Sequence, residues 1–468
     1  MALTPGPGMI RWAVSVYHRD ETSSLKSTGP GWRSVTPGVS LPEVHSSIPV
    51  LKHHGFWRKL LAFSGPGYLV AVGYMDPGNW ATDLEGGAKF GYSLLSVVLI
   101  SSLMAVLLQA LSARLGIATG RDLAQACRDH YSRPVSIALW VLCELAICAC
   151  DLAEVMGSAI ALNLLFKLPL IYGVCITAAD VMLVMLLQNK GFRYLEAVVV
   201  ALIVTIGLCF AAEMIFSQPS FAGVMAGFLP HPEIISNPGM LYISIGILGA
   251  TVMPHNLYLH SSIVQTRKYE QNATGKAEAI KFAALDSTIA LTIALFINAA
   301  ILIVSAATFH NTGHQDVAEI QDAYQLLSPT VGVGAASVIF AIALLASGQN
   351  STLTGTLAGQ IVMEGFLHLR LRPWVRRLIT RLIAIVPAIL CVAWYGEKGA
   401  GKLIVLSQVV LSLQLSFAVV PLVLFTSDKH KMGQFVNPDW LKWLAWLTTL
   451  IIIGLNIKGI LDWAGITH

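Results

Sequence analysis

Two stretches of the chain decide its fold: Gly73-Tyr74-Met75-Asp76-Pro77-Gly78-Asn79-Trp80 and Ala250-Thr251-Val252-Met253-Pro254-His255-Asn256-Leu257. Each lies inside an apolar segment long enough to cross a bilayer, and each carries a proline in mid-segment within an X-Pro-X-Asn frame. Proline has no backbone N–H and clashes with the preceding turn, so the carbonyls of Gly73 and Ala250 lose their helical partners. Hydrocarbon does not tolerate unsatisfied carbonyls, so both breaks must face protein or an aqueous cavity.

The residues outside these breaks explain why they lie in a membrane. Of the 468 residues 55% are hydrophobic and only 12% charged, about half the charged share of a soluble domain. From about residue 60 onward, eleven apolar segments follow one another, near 60–88, 93–113, 135–165, 169–189, 194–216, 238–265, 285–309, 332–361, 377–394, 402–425 and 438–460. Each is long enough for a helix to cross a hydrocarbon core about 30 Å thick. The runs are continuous, whereas an outer-membrane barrel would show short alternating segments. A cytosolic enzyme, a secreted disulfide scaffold and a disordered adaptor are excluded, and a net charge of +4 without a basic domain excludes nucleic-acid binding as the main task. The seven cysteines form no CxxC pair and read as small hydrophobes.

Broken helices at equivalent places in two five-helix halves are the mark of an inverted-repeat transporter. The reading is therefore an all-α integral membrane protein of eleven transmembrane helices: a 5+5 inverted repeat with spans one and six unwound. Residues 1–55 form a cytoplasmic, disordered tail rich in Ser, Pro and Gly. Residues 56–468 form the transporter domain, with repeat one near 60–216, repeat two near 238–425 and an extra span near 438–460. Lysine and arginine number seventeen in the loops on the N-terminal side and five on the other. That asymmetry puts the N-terminus inside and the C-terminus outside.

The chemistry gathers at the breaks. Asp76 and Asn79 offer a carboxylate and an amide oxygen in the first, and a carboxylate at mid-bilayer costs about 2.5–3.5 kcal/mol on insertion scales. Asp76 can also cap the half-helix that starts at Pro77, but Asn or Ser would cap without the charge. Met253 stands at the equivalent place in the second break. Its thioether is a poor ligand for Mg²⁺ or Ca²⁺ and an acceptable one for softer transition metals. Carboxylate, amide, thioether and freed carbonyls describe a mixed site for a divalent first-row metal. In span three, Glu144, Asp151 and Glu154 fall on one helical face. Arg381, ahead of Arg377, is the nearest counter-charge. That face is either a static ion-pair network or a proton route, with His255 beside it able to titrate near neutral pH. Asp180 and Asp286 are further intramembrane acids, read as polar packing. His260 points about 140° away from His255 and is read as outside the site. His310 and His314, with Asp316 and Glu319, read as a solvated loop.

These motifs, together with Gly348-Gln349-Asn350-Ser351-Thr352-Leu353-Thr354-Gly355-Thr356 running on to Met363-Glu364-Gly365, closely resemble the Nramp family of proton-coupled divalent-metal importers over residues 55–460. The resemblance implies a LeuT-like fold with one midplane metal. Its ligands would be Asp76, Asn79, Met253 and the carbonyl of Ala250, with Gly73 a further carbonyl and Gln408 approaching in one conformation. It also implies proton movement through the span-three acids and the span-six histidine. The expectation is a secondary transporter rather than an enzyme. It would import Mn²⁺, and Fe²⁺ as well, with protons, needing no cofactor and working as a monomeric unit in the inner (plasma) membrane. An amino-acid symporter on the same fold is the alternative, although Asp76 would repel a substrate carboxylate. A membrane metalloenzyme would need a His/Glu cluster that the sequence lacks.

Overall fold

The computed structural model describes residues 14–15, 31–33, 38–50, 55–177, 191–315, 319–331, 334–368, 370–395 and 399–466. Apart from four two-residue strands, its regular structure is helical. Among the described residues, eight helical stretches are long and apolar enough to cross a membrane. The first of these, Pro77–Thr119, joins the second half of span one to span two. Only the start of the expected fourth span lies among the described residues, and Asp180 lies outside them.

In chain order the principal helices are α1 (Phe56–Phe63), α2 (Pro66–Val72), α3 (Pro77–Phe90), α4 (Leu95–Thr119), α5 (Leu123–His130), α6 (Arg133–Phe166), α7 (Leu170–Ile176), α8 (Phe192–Ser217), α9 (Pro238–Thr251), α10 (Pro254–Ile263), α11 (Ala273–Ser305), α12 (Ile320–Val331), α13 (Ala336–Leu367), α14 (Pro373–Tyr395), α15 (Ala400–Ser427), α16 (Lys429–Met432) and α17 (Asp439–Trp463). The strands are β1 (Val14–Ser15), β2 (Ile48–Pro49), β3 (Arg267–Lys268) and β4 (Arg370–Leu371); β1 pairs antiparallel with β4, and β2 parallel with β3.

Both predicted breaks are present. After α2 the chain makes one tight turn, Gly73–Met75, then Asp76 is fully extended before α3 starts at Pro77. Between α9 and α10, Val252 and Met253 leave the helical region, and Pro254 starts the next half-helix. Each proline thus sits at a first helical position, where its missing N–H is no loss. Around this pair, α6 packs along α13 and α15, α11 along α4 and α2, and α9 against α15 and α3. Small residues permit the closest crossings. A Cβ on Gly157 would stand 2.2 Å from Cβ of Pro77, and one on Gly249 would stand 2.1 Å from the carbonyl oxygen of Gln408.

The expected disordered tail is in part a packed segment. Trp32, Leu41 and Ile48 are buried, apolar residues that its Ser/Pro/Gly background obscured. The extra span is held by polar bonds as well as apolar contact: Ser412 Oγ donates to Asn456 Oδ1, and Asn456 Nδ2 to the Ser412 carbonyl, both at 2.8 Å.

Candidate metal site between the two broken helices

Asp76, Asn79, Met253, Asn256 and Gln408 are all buried around the two breaks. Asp76 Oδ1 accepts from the Asn79 backbone N–H at 2.8 Å. The capping reading is therefore realised, and it uses one oxygen. The other, Oδ2, accepts from Cys150 Sγ at 3.9 Å, and that thiol also lies 3.8 Å from Glu154 Oε1. Cys150, read from sequence as packing, stands between the carboxylate of the break and the acids of span three. Asn79 Nδ2 donates to the Tyr74 carbonyl at 3.0 Å, which leaves its Oδ1 unpartnered.

The unwound backbone of span one is held in place by neighbouring helices. Asn298 Nδ2 on α11 donates to the Tyr74 carbonyl at 2.7 Å. Ser347 Oγ on α13 donates to the Met75 carbonyl at 2.5 Å. The carbonyls of Gly73 and Ala250 precede Pro77 and Pro254 by one helical turn and have no N–H to accept from there.

Met253 packs with Ala146, Cys150 and Leu411. A Cβ on Gly73 would stand 3.2 Å from its sulfur and 2.2 Å from Asn256 Nδ2, so glycine at 73 lets the two breaks meet. Neither amide atom of Asn256 has a partner. Gln408 reaches span one from α15: a Cβ on Gly78 would be 2.2 Å from its Nε2, and its Oε1 is unpartnered. Unpartnered amide oxygens of Asn79, Asn256 and Gln408 thus accompany the Asp76 carboxylate and one thioether. Among the described residues no three His, Cys, Asp or Glu side chains gather to hold an ion. An ion here would therefore depend on amide, thioether and backbone oxygen beside the single carboxylate.

The acids of span three divide into two groups. Glu154 Oε2 lies 3.4 Å from Arg381 Nη2 and accepts from Thr352 Oγ1 at 3.3 Å. Arg381 Nη1 donates to the backbone carbonyl of Asp151 at 3.2 Å. Arg381, Asp151 and Glu154 are buried together. Glu144 is instead bound by Arg376 Nη2 at 2.7 Å and by Trp140 Nε1 at 3.1 Å. Arg381 is thus the counter-charge of Glu154 and holds the Asp151 backbone, but not of Glu144, which lies farther along α6 and meets a different turn of α14. The Arg377 side chain lies outside the described residues.

His255 is buried in the first turn of α10. His260 does not line the breaks, but its Nδ1 lies 3.1 Å from Gln109 Oε1, and Gln109 Nε2 donates to Tyr74 Oη at 2.8 Å. The loop after α11 is less solvated than expected: His310 Nδ1 lies 3.0 Å from the Ala88 carbonyl, and Glu319 Oε2 accepts from Gly401 N at 2.6 Å. Asp316 lies outside the described residues. Asp286 is more than polar packing. Its carboxylate accepts from Gly67 N at 2.7 Å and Gly65 N at 3.4 Å, holding the start of α2.

Residues missed in sequence include Asn298, Ser347, Thr352 and Cys150. A lone amide inside an apolar run, as at Asn298, was a usable signal; a cysteine among three in one helix was not.

Two broken helices meeting at mid-bilayer, crossed by scaffold helices and lined with cation-attracting groups, define a multi-pass membrane transporter of inverted-repeat type. Its architecture matches Mhp1, a nucleobase-cation-symport-1 family transporter, with a TM-score of 0.56 at 16% identity over 85% of this chain and 91% of that one, a likeness of fold. A much closer match is the Eremococcus coleocola manganese transporter, solved with an aromatic bis-isothiourea substituted compound: TM-score 0.84, 45% identity, 91% of each chain covered. Residues 67–462 match the family described as natural resistance-associated macrophage protein-like. The divalent metal cation transporter MntH of Nostoc is 68% identical over 417 residues, 89% of this chain and 94% of that one. MntH of Bradyrhizobium diazoefficiens is 62% identical over 94% of this chain and 98% of its own length. The chain belongs to the Nramp family, a family of divalent-metal transporters and not of enzymes.

Proposed function

We propose that this protein imports Mn²⁺, and Fe²⁺ as well, together with protons, by alternating access across the plasma membrane. Its N-terminus would be cytoplasmic, its C-terminus external and its transport unit a single chain. The observation that carries this reading is the meeting of the two breaks, with the Met253 sulfur against Gly73 and Met253 packed on Cys150, whose thiol also reaches Asp76, beside amide oxygens without partners. In it, Asp76, Asn79 and Met253 hold the cation with the Gly73 and Ala250 carbonyls, and Gln408 joins from α15. Asp76 supplies the only full charge, and the sulfur favours polarisable ions over hard ones. Two positive charges moving inward gain about 4.6 kcal/mol per 100 mV, so the membrane potential alone favours uptake and a proton adds a second control.

The proton route runs from Asp76 by Cys150 toward Glu154, Asp151 and Arg381, with His255 beside the site. The Cys150 thiol within reach of both carboxylates supports this path. Glu144, bound to Arg376, ends the row on the cytoplasmic side. The bond from Gly67 N to Asp286 and that from Arg267 Nη2 to the Ser64 carbonyl, at 2.7 and 2.6 Å, support a state closed on that side. Opening would require α2 and α10 to move against α6, α7, α13 and α14.

Isothermal titration of purified protein tests the reading. Heat of binding is expected with Mn²⁺ and not with Mg²⁺ or alanine. Alanine binding without Mn²⁺ binding would point to an organic-solute symporter and overturn it.

A further inference from the structure

Residues 31–33 and 38–50 lie across the face of the bundle where span six runs into span seven. Under the orientation proposed above this face is cytoplasmic, and the inference rests on that reading. Trp32 stands edge-on to Phe425, with ring centroids 5.7 Å apart, and the charged ends of Arg121 and Lys431 lie 4.8 Å and 5.3 Å from its ring. Arg33 N donates to the Asp129 carbonyl at 3.0 Å. Ser40 Oγ lies 2.6 Å from Ser262 Oγ on α10, and Leu41 beside it is buried. Ser46 N donates to the Gln265 carbonyl at 2.9 Å, and Val50 N to the Lys268 carbonyl at 3.2 Å. Between them, Ile48 pairs with Arg267. Leu41 and Ser46 hold φ of +44° and +52°, a backbone state that a non-glycine residue keeps only when its surroundings impose it.

Arg267 connects this strap to the first span. The strap fixes its backbone, while its fully buried side chain reaches Glu196 on α8 at 2.7 Å and the Ser64 carbonyl, just before α2, at 2.6 Å. A mouth opening on this face must let the start of α2 leave α8, α10 and α11, so the buried Arg267 must release Ser64, as must the exposed Arg193 on α8, whose Nη1 donates to the same carbonyl at 2.8 Å. We propose that the strap is an intramolecular latch: by fixing residues 265–268 it keeps Arg267 on Ser64 and holds the cytoplasmic mouth closed.

Hydrogen–deuterium exchange on the full chain in lipid nanodiscs tests the latch. Two lesions lift the strap: deletion of residues 31–50, and Ser46→Pro, which cannot adopt the positive φ and removes the bond to Gln265. If the deletion fails to insert, Ser46→Pro decides. Losing a few net hydrogen bonds should raise exchange about tenfold or more. The rise is expected at 265–268 and also at Gly65–Val72, to which none of the strap bonds above runs. A rise confined to 265–268 would make the strap a local cover and overturn the proposal. In an Arg267→Met background, Gly65–Val72 should already exchange fast, and Ser46→Pro should add nothing there. A further increase would overturn the route through Arg267. Exchange is read without cargo, and Mn²⁺ uptake by the wild type is measured beside it, so failure of the transport reading is seen separately from failure of the latch.

Discussion

At the scale of single residues, Asp76 and Met253 carry the account in different ways. Asp76→Asn keeps the cap on α3 and removes the charge, so Mn²⁺ transport should be lost while the protein stays folded. Uptake by Asp76→Asn at the wild-type rate would remove Asp76 from the site. Met253→Ala should weaken Cd²⁺ most, Mn²⁺ and Fe²⁺ less, and let Ca²⁺ compete, because a thioether favours polarisable ions and gives hard ones little. A Met253 that only packs against Ala146, Cys150 and Leu411 predicts otherwise: lower thermal stability with all ions affected alike. Competition assays with Ca²⁺ beside thermal melts separate the two. Both residues were legible in the sequence because a proline in an apolar run marks its neighbours as special. Cys150 was not, because only the approach of α6 to the start of α3 brings its thiol to Asp76; nor did the Asn256 frame show that its amide would be left without a partner.

At the scale of elements, the breaks were legible and the bonds holding them were not. Proline says where a helix stops; it does not say that Asn298 and Ser347, from two other helices, bind the carbonyls of Tyr74 and Met75. Asp286 and Arg267 illustrate the same limit, since an acid in span seven and a loop arginine meet the start of α2 only in three dimensions. Arg267→Ala removes the fully buried partner of Glu196 and leaves it Arg193 at 3.2 Å, so the loss should fall below the about 3–5 kcal/mol of a buried pair broken outright. Chemical unfolding in detergent should show that loss, and Glu196→Gln combined with Arg267→Ala should recover part of it. In the loop after α11, burial, with Asp322 and Glu85 nearby, pushes the Glu319 carboxyl up to about 7, against the opposing pull of the Gly401 N–H and Lys402. Its folded pKa lies above the unfolded one, so between about 4.5 and 7 the folded state holds more protons and stability falls as pH rises. Melting temperatures from pH 5 to 8 should decline in the wild type, and Glu319→Gln should flatten that decline. Identical slopes would show that Glu319 titrates normally.

At the scale of the whole molecule, segment length and loop charge sufficed to predict a multi-pass bundle, because lipid demands continuous apolar helices. They could not tell packed from disordered in the first fifty residues, where the buried Trp32, Leu41 and Ile48 stand among Ser, Pro and Gly. They also left open whether the acids of span three are a static network or a route. The structure gives both readings a place: Glu144 is locked to Arg376, while Glu154 shares Cys150 with Asp76. Coupling of metal to proton is the central claim, and it belongs to the molecule rather than to any residue. The most direct test is uptake into proteoliposomes with an imposed inward proton gradient, reading internal Mn²⁺ and internal pH together, for the wild type and for Glu154→Gln. Mn²⁺ added to the wild type should acidify the interior in step with uptake, and Glu154→Gln should bind Mn²⁺ but lose the acidification. Mn²⁺ uptake by the wild type with no movement of internal pH would contradict the coupling.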